Sequence, residues 1–154
     1  IHMGNKKEAM QILNPYFTGS GDQGSSPFST AGAYYAYGLI HANQFSPELL
    51  QYFQDGFRNS AQNEAIQHGI CLGMGLVGMA TNNPVIYEEL KNVLFNNADS
   101  AVIGEAAGYA LGLVMLGSAD EEAIREILTH AQETQHEKII RALSISLGLI
   151  MYGK

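Results

Sequence analysis

The six residues Gly73-Met74-Gly75-Leu76-Val77-Gly78 match the pattern GxGxxG letter for letter. In a dinucleotide site such glycines make the turn from a strand into a helix, and the pyrophosphate sits at the helix N-terminus. Here the match ends an apolar, helix-like run, and the same place one repeat later reads Gly112-Leu113-Val114-Met115-Leu116-Gly117. Packing between repeated helices explains both stretches. A nucleotide site at Gly73 to Gly78 would require a strand before Gly73, and helical backbone across the motif eliminates it. Gly148 to Lys154 reads GxxxxGK without the Ser or Thr that a P-loop needs, and Leu149-Ile150-Met151-Tyr152 is an apolar helical run.

The other reactive side chains are equally sparse. His136-Glu137 opens an HExxH pattern, but Ile140 stands where the second zinc ligand belongs. His41, His68 and His130 share no ligand spacing, so structural or surface roles are expected for them. Cys71 is the only cysteine and lies in an apolar stretch, which predicts a buried, inert thiol and leaves no internal disulfide. Glu105, in the apolar context Gly104-Glu105-Ala106, is the one acid whose pKa burial could raise; a polar partner at a junction between repeats is the plainer expectation. No carboxylate pair or Ser-His-Asp order is visible. The expectation is no enzyme, no catalytic residue, no cofactor and no metal.

Composition narrows the class of partner. The chain has 154 residues, 46% hydrophobic and only 15% charged, which suits a packed domain. A net charge of −7, with eight scattered Lys and Arg, excludes nucleic acid and anionic membrane as natural partners. Ala101 to Ala119 is apolar apart from Glu105 and Ser118, with Gly104, Gly108 and Gly112 spaced by four, as in a small-xxx-small membrane helix. The equivalent segments elsewhere are too polar or too short to span, so a buried soluble helix is expected. The lack of disulfides fits a reducing compartment.

The elements behind these residues repeat. Tyr37-Gly38-Leu39-Ile40-His41, Met74-Gly75-Leu76-Val77-Gly78, Leu113-Val114-Met115-Leu116-Gly117 and Leu149-Ile150-Met151-Tyr152-Gly153 are variants of one phrase. With His41, Gly78, Gly117 and Gly153 taken as equivalent, the steps are 37, 39 and 36 residues. Such a period marks a stacked-repeat architecture. Each period divides into an amphipathic segment and one that is apolar nearly all round. Leu49, Leu50, Phe53 and Phe57 share a face of the first kind, as do Ile86, Leu90, Val93 and Leu94, and Ile124, Ile127, Leu128 and Ala131. Ser46-Pro47, Asn83-Pro84 and Asp120 supply the start signals.

The second kind covers Ala65 to Ala80, Val102 to Leu116 and Ile139 to Tyr152. Gly73, Gly112 and Gly148 fall at matching places there, although glycine inside a helix costs about 1 kcal/mol relative to alanine. Close approach of neighbouring backbones is the expected reason. The fold class is therefore all-α, a curved α-solenoid of helix pairs with amphipathic helices outside and small-residue helices inside. Asn14 to Ser29 is expected to be a long loop between helices, because Asn14-Pro15 and the Gly/Ser-rich run to Pro27 break the pattern. Ile1-His2-Met3 reads as a cloning remnant. Residues 4–154 read as a single solenoid fragment of about four units, incomplete at both ends, whose open ends favour self-association.

The Ala-x-Gly-x-x-x-Gly-Leu character of the inner segments resembles the proteasome/cyclosome repeat. Asn14 to Phe28, Gly104 to Ser118 and Ala131 to Arg141 narrow the match to the large non-ATPase scaffold subunits in the base of the 26S proteasome regulatory particle. The repeat by itself is shared with a sister base subunit and with the anaphase-promoting complex, so another helical-repeat scaffold remains the alternative. The resemblance implies helix pairs that close into a toroid in the parent protein. It implies a non-catalytic scaffold that holds ATPases, lid subunits and ubiquitin receptors for ubiquitin-dependent degradation, in cytoplasm and nucleus. Tyr34, Tyr35 and Tyr37 depart from it, standing where the pattern prefers small aliphatics.

Overall fold

Eight helices follow one another in a computed structural model that describes residues 5–18, 26–97 and 99–154. They are α1 (Lys6–Thr18), α2 (Pro27–Ile40), α3 (Pro47–Asn59), α4 (Glu64–Val77), α5 (Pro84–Asn96), α6 (Ala101–Val114), α7 (Glu121–Glu133) and α8 (Glu137–Ile150). Residues 1–3 lie outside the described residues. The fold is the all-α solenoid of helix pairs, and every described element is helical.

Local chemistry sets where the helices begin. The Ser46 hydroxyl accepts from the Leu49 amide, Asn83 Oδ1 from Val85, Ser100 from Ile103, and Asp120 Oδ1 from Ala123. Each such cap satisfies an amide that the first turn leaves unpaired and contributes about 1 kcal/mol. Prolines follow Ser26, Ser46 and Asn83 at the first helical position, where their missing N–H costs nothing.

The helices form two rows. The even-numbered helices stack side by side, α2 on α4, α4 on α6 and α6 on α8, while each odd-numbered helix packs beside its successor. Phe53, Ile86, Leu90 and Ile127 of the outer row point into the core with Ile70, Met74, Leu111 and Leu143 of the inner row. Phe57 is partly buried, and Leu128, expected on the buried face of α7, stays 44% exposed. α6 is 14 residues long, and no helix among the described residues is long and apolar enough to cross a membrane.

The structure corrects the expected loop over Asn14 to Ser29. α1 continues through Asn14 and Pro15 to Thr18, and α2 already starts at Pro27. Residues 19–25 lie outside the described residues. Pro15 cannot donate to the Gln11 carbonyl, a local cost that normally ends or bends a helix. Tertiary contacts oppose it: the Thr30 hydroxyl donates to the Tyr16 carbonyl at 3.0 Å, and Phe17 packs edge-on against Tyr34 at 4.8 Å.

Candidate scaffolding surfaces

The inner row is built on close backbone approach at glycine. A Cβ on Gly75 would lie 2.6 Å from Ala110 Cα, and one on Gly112 would lie 2.6 Å from Ser146 Cα. One on Gly38 would collide with the Gly73 backbone. These three glycines occupy the same place in α2, α4 and α6, the third residue from each C-terminus, and Gly148 occupies it in α8. The first equivalence drawn from sequence therefore needs correction: Gly75, not Gly73, is the counterpart of Gly112 and Gly148. Gly73 instead receives Gly38 on one side, and its own Cβ would meet Phe53 and the Tyr34 carbonyl. Gly148 makes no close approach, with nothing among the described residues within 4 Å of its Cβ position.

The turns after the inner helices need the same correction. Asn43, Ala80, Gly117 and Gly153 all have left-handed backbone, at φ 55, 58, 69 and 79°. They recur at steps of 37, 37 and 36 residues, so Gly117 and Gly153 correspond to Ala80 and Asn43 rather than to Gly78 and His41. Each turn reaches the next inner helix. The Asn43 amide donates to the Leu76 carbonyl at 3.0 Å, Ala80 to Leu113 at 2.9 Å, and Gly117 to Leu149 at 2.9 Å. Asn82 and Ala119 add bonds to Val114 and Ile150 at 3.1 and 3.0 Å. The last carbonyls of a helix have no partner within it, so these amides satisfy them and fix the angle between units.

Polar clamps join neighbouring units elsewhere. The Tyr87 hydroxyl on α5 donates to Glu126 Oε2 on α7 at 2.9 Å. Lys91 Nζ bridges Glu126 and Glu88 at 2.9 and 2.7 Å. Burial pushes the Tyr87 phenol well above its usual pKa, and Glu126 adds to the shift. The Ser100 hydroxyl donates to Glu64 at 2.6 Å, and the Ser146 hydroxyl donates to the Gly108 carbonyl at 2.6 Å in the buried seam. Sequence reading missed the Tyr87–Lys91–Glu126 clamp because its members lie 39 and 35 residues apart, with no local pattern to join them.

The residues with chemical potential are scattered through this frame. Cys71 is fully buried and its thiol is pushed up to about 12 by that burial. Gly73 to Val77 lie inside α4 and Gly78 caps it, so the motif has helical backbone and no strand-to-helix turn. Gly148 to Ile150 are the last residues of α8. His136 sits at the N-cap of α8 without a side-chain capping bond. His41 is buried at the C-cap of α2, 4.6 Å edge-on from Tyr37, and His130 packs edge-on against Phe95 at 4.9 Å. Burial holds the His68 imidazole on α4 below its usual value, against an opposing pull from Glu105 on α6. Among the described residues no group of three His, Cys, Asp or Glu side chains is arranged to hold a metal.

One surface cleft of about 250 Å³ lies between α5 and α7, lined by Tyr87, Glu88, Asp120 and Glu126 among others. These carboxylates already serve the fold. Asp120 caps α7, while Glu88 and Glu126 hold Lys91 and Tyr87. Near α1 the tyrosines that departed from the pattern find their reason. Tyr34 and Tyr37 pack with Phe17, Tyr52 and Phe53, filling the space between α1, α2 and α3, while Tyr35 stays 42% exposed.

Stacked helix pairs, glycine seams and turn-to-helix amides together define a helical-repeat architecture, and comparison with known proteins shows what it is similar to. The proteasome/cyclosome repeat model matches residues 106–140 of this chain. Over all 154 aligned residues it is 47% identical to the 26S proteasome regulatory subunit rpn2 of Schizosaccharomyces pombe, covering 16% of that protein. It is 46% identical to the 26S proteasome non-ATPase regulatory subunit 1 homolog A of Arabidopsis thaliana and 44% identical to the Drosophila melanogaster non-ATPase regulatory subunit 1. Each match takes in the whole of this chain and 15% of the relative. The chain thus spans about a sixth of the length of the curated relatives it matches.

Proposed function

We propose that this chain is a non-catalytic scaffold segment of the base of the 26S proteasome regulatory particle. Its work is geometric: the repeat stack fixes the distance and angle between surfaces on which other subunits dock. The observation that carries this reading is identity of 44 to 47% along the whole chain to relatives named as regulatory subunits of that particle. The partners in this reading are ATPases, lid subunits and ubiquitin receptors, and the compartments are cytoplasm and nucleus.

Its non-catalytic character draws support from the structural bonds of Glu88, Asp120 and Glu126 in the α5–α7 cleft and from the buried thiol of Cys71. A cyclosome scaffold would share the repeat, but the relatives named above carry proteasome names. Affinity capture of the tagged full-length protein, followed by mass spectrometry, tests the assignment. Co-recovery of proteasomal ATPases and lid subunits is expected. Recovery of cyclosome subunits in their place would overturn it, and fractionation of the same cells tests the compartments.

A further inference from the structure

His41 is the one ionisable side chain at its place in the repeat. Two residues before the left-handed Asn43, Ala80 and Gly117 stand His41, Gly78 and Met115. A Cβ on Gly78 would lie 3.0 Å from Ile86 of α5 and 3.0 Å from Val114 of α6. One unit earlier the residues at those two places are Leu49 of α3 and Val77 of α4, both buried. By that register the His41 side chain leaves the end of α2 toward α3 and α4, in the interior of the stack. It is 2% exposed, and neither ring nitrogen has a hydrogen-bond partner among the described residues. An imidazole buried in this way gives up its hydration and gains no bond in exchange. Charge does not compensate. Lys6 on α1 opposes an imidazolium there, and no carboxylate on α2, α3 or α4 draws one in. Tyr37 of α2 lies 4.6 Å edge-on from the ring, and Tyr52 of α3 lies 5.0 Å from Tyr37, both as neutral phenols.

We propose that His41 is a pH-sensitive latch for the outer helix α3: neutral, it completes the packing of α3 on the inner row, and protonated, it releases α3 while the rest of the stack stays folded. The open form takes up a proton near the ordinary imidazole value of about 6.5, whereas burial holds the packed form below it. Opening is therefore favoured as pH falls below that value. The release is local for two reasons. Each unit of a repeat stack touches only its neighbours, and α3 is held through one face, Leu49, Leu50 and Phe53. Gly78 and Met115 cannot take up a proton, so α5 has no such latch and serves as the internal reference. α7 is not a clean reference, because burial also depresses the imidazole of its own His130.

Native-state hydrogen exchange at neutral pH and at pH about 5, corrected for the intrinsic pH dependence of amide exchange, tests this. The α3 amides are expected to lose protection by roughly 10- to 30-fold at the lower pH, while those of α5 keep theirs. His41→Met installs the residue that Met115 supplies in a later unit, and it is expected to abolish the loss in α3. A circular-dichroism melt at neutral pH verifies that this variant folds, and His41→Phe gives a second variant of aromatic shape. Three results would overturn the proposal: protection in α3 that does not change with pH, a loss of equal size in α3 and α5, or a loss in α3 that survives both substitutions.

Discussion

The Ala80 amide donates to the Leu113 carbonyl across 2.9 Å, tying the turn after α4 to the end of α6. Ala80 holds a left-handed φ of 58° to make this bond, a conformation that costs a residue with a Cβ about 1 kcal/mol or more. Ala80→Gly is therefore expected to stabilise the chain by roughly 0.5 kcal/mol after the entropic cost of glycine is subtracted. Gly117→Ala, at the same place one unit later, is expected to destabilise it by about 1 kcal/mol. Urea unfolding of the two variants side by side checks both signs, and agreement in sign would show that the turn strain is not repeated unit for unit.

The glycine seam separates two substitutions that look alike on paper. Gly112→Ala puts a methyl 2.6 Å from Ser146 Cα, and overpacking of this kind costs about 1–3 kcal/mol. Gly148→Ala meets open space and gains helix propensity, so it is expected to be neutral or stabilising by up to about 1 kcal/mol. Denaturation midpoints at low protein concentration read the difference.

Tyr87→Phe removes the hydroxyl bound to Glu126 and is expected to cost about 1 kcal/mol, a hydrogen bond to a charged, partly buried acceptor. Lys91→Met removes the other donor to Glu126. Because both donors serve one carboxylate, the double variant is expected to depart from the sum of the single ones. A double-mutant cycle that closes additively would show the two bonds to be independent.

Stability is expected to fall on acidification. Burial depresses the folded pKa of His41, and Lys6 adds to that, while neither ring nitrogen has a hydrogen-bond partner among the described residues. A lowered folded value means that the unfolded chain takes up the proton first. The contribution is thus complete above the unfolded pKa, about 6.5, and is lost as pH falls from there toward the depressed value. His130 and His68 are shifted in the same direction. His41→Phe keeps an aromatic ring beside Tyr37 and is expected to flatten part of the decline, read as melting temperature between neutral pH and pH about 5.

The Cys71 thiol is expected to resist alkylation in the native state. Its full burial and a pKa raised to about 12 leave neither access nor thiolate. Modification should track global unfolding in denaturant, and rapid native labelling would contradict this placement.

Much of the architecture was legible because its signals are local. Ser46 and Asn83, each followed by proline, start α3 and α5 through side-chain capping bonds that span three residues or fewer. The face formed by Ile86, Leu90, Val93 and Leu94 is buried as its spacing predicts, since burial follows the helical period within a single turn or two. The nucleotide-like motif was likewise resolved by its position at the end of a helical run.

The sequence by itself determined the helix pairs, their period and their all-α class, because caps, breakers and apolar spacing act within a few residues. Only the tertiary structure decided which glycine serves which purpose. Gly75 and Gly112 are needed because another helix's backbone lies against them, whereas Gly117 relieves a left-handed turn that Asn43 and Ala80 hold with a Cβ, and the letter in the sequence is the same for both. It also decided that α1 runs through Pro15, where contacts from Thr30 and Tyr34 outweigh a local breaker. Those decisions rest on contacts between residues far apart in the chain, and no short stretch of sequence contains both partners.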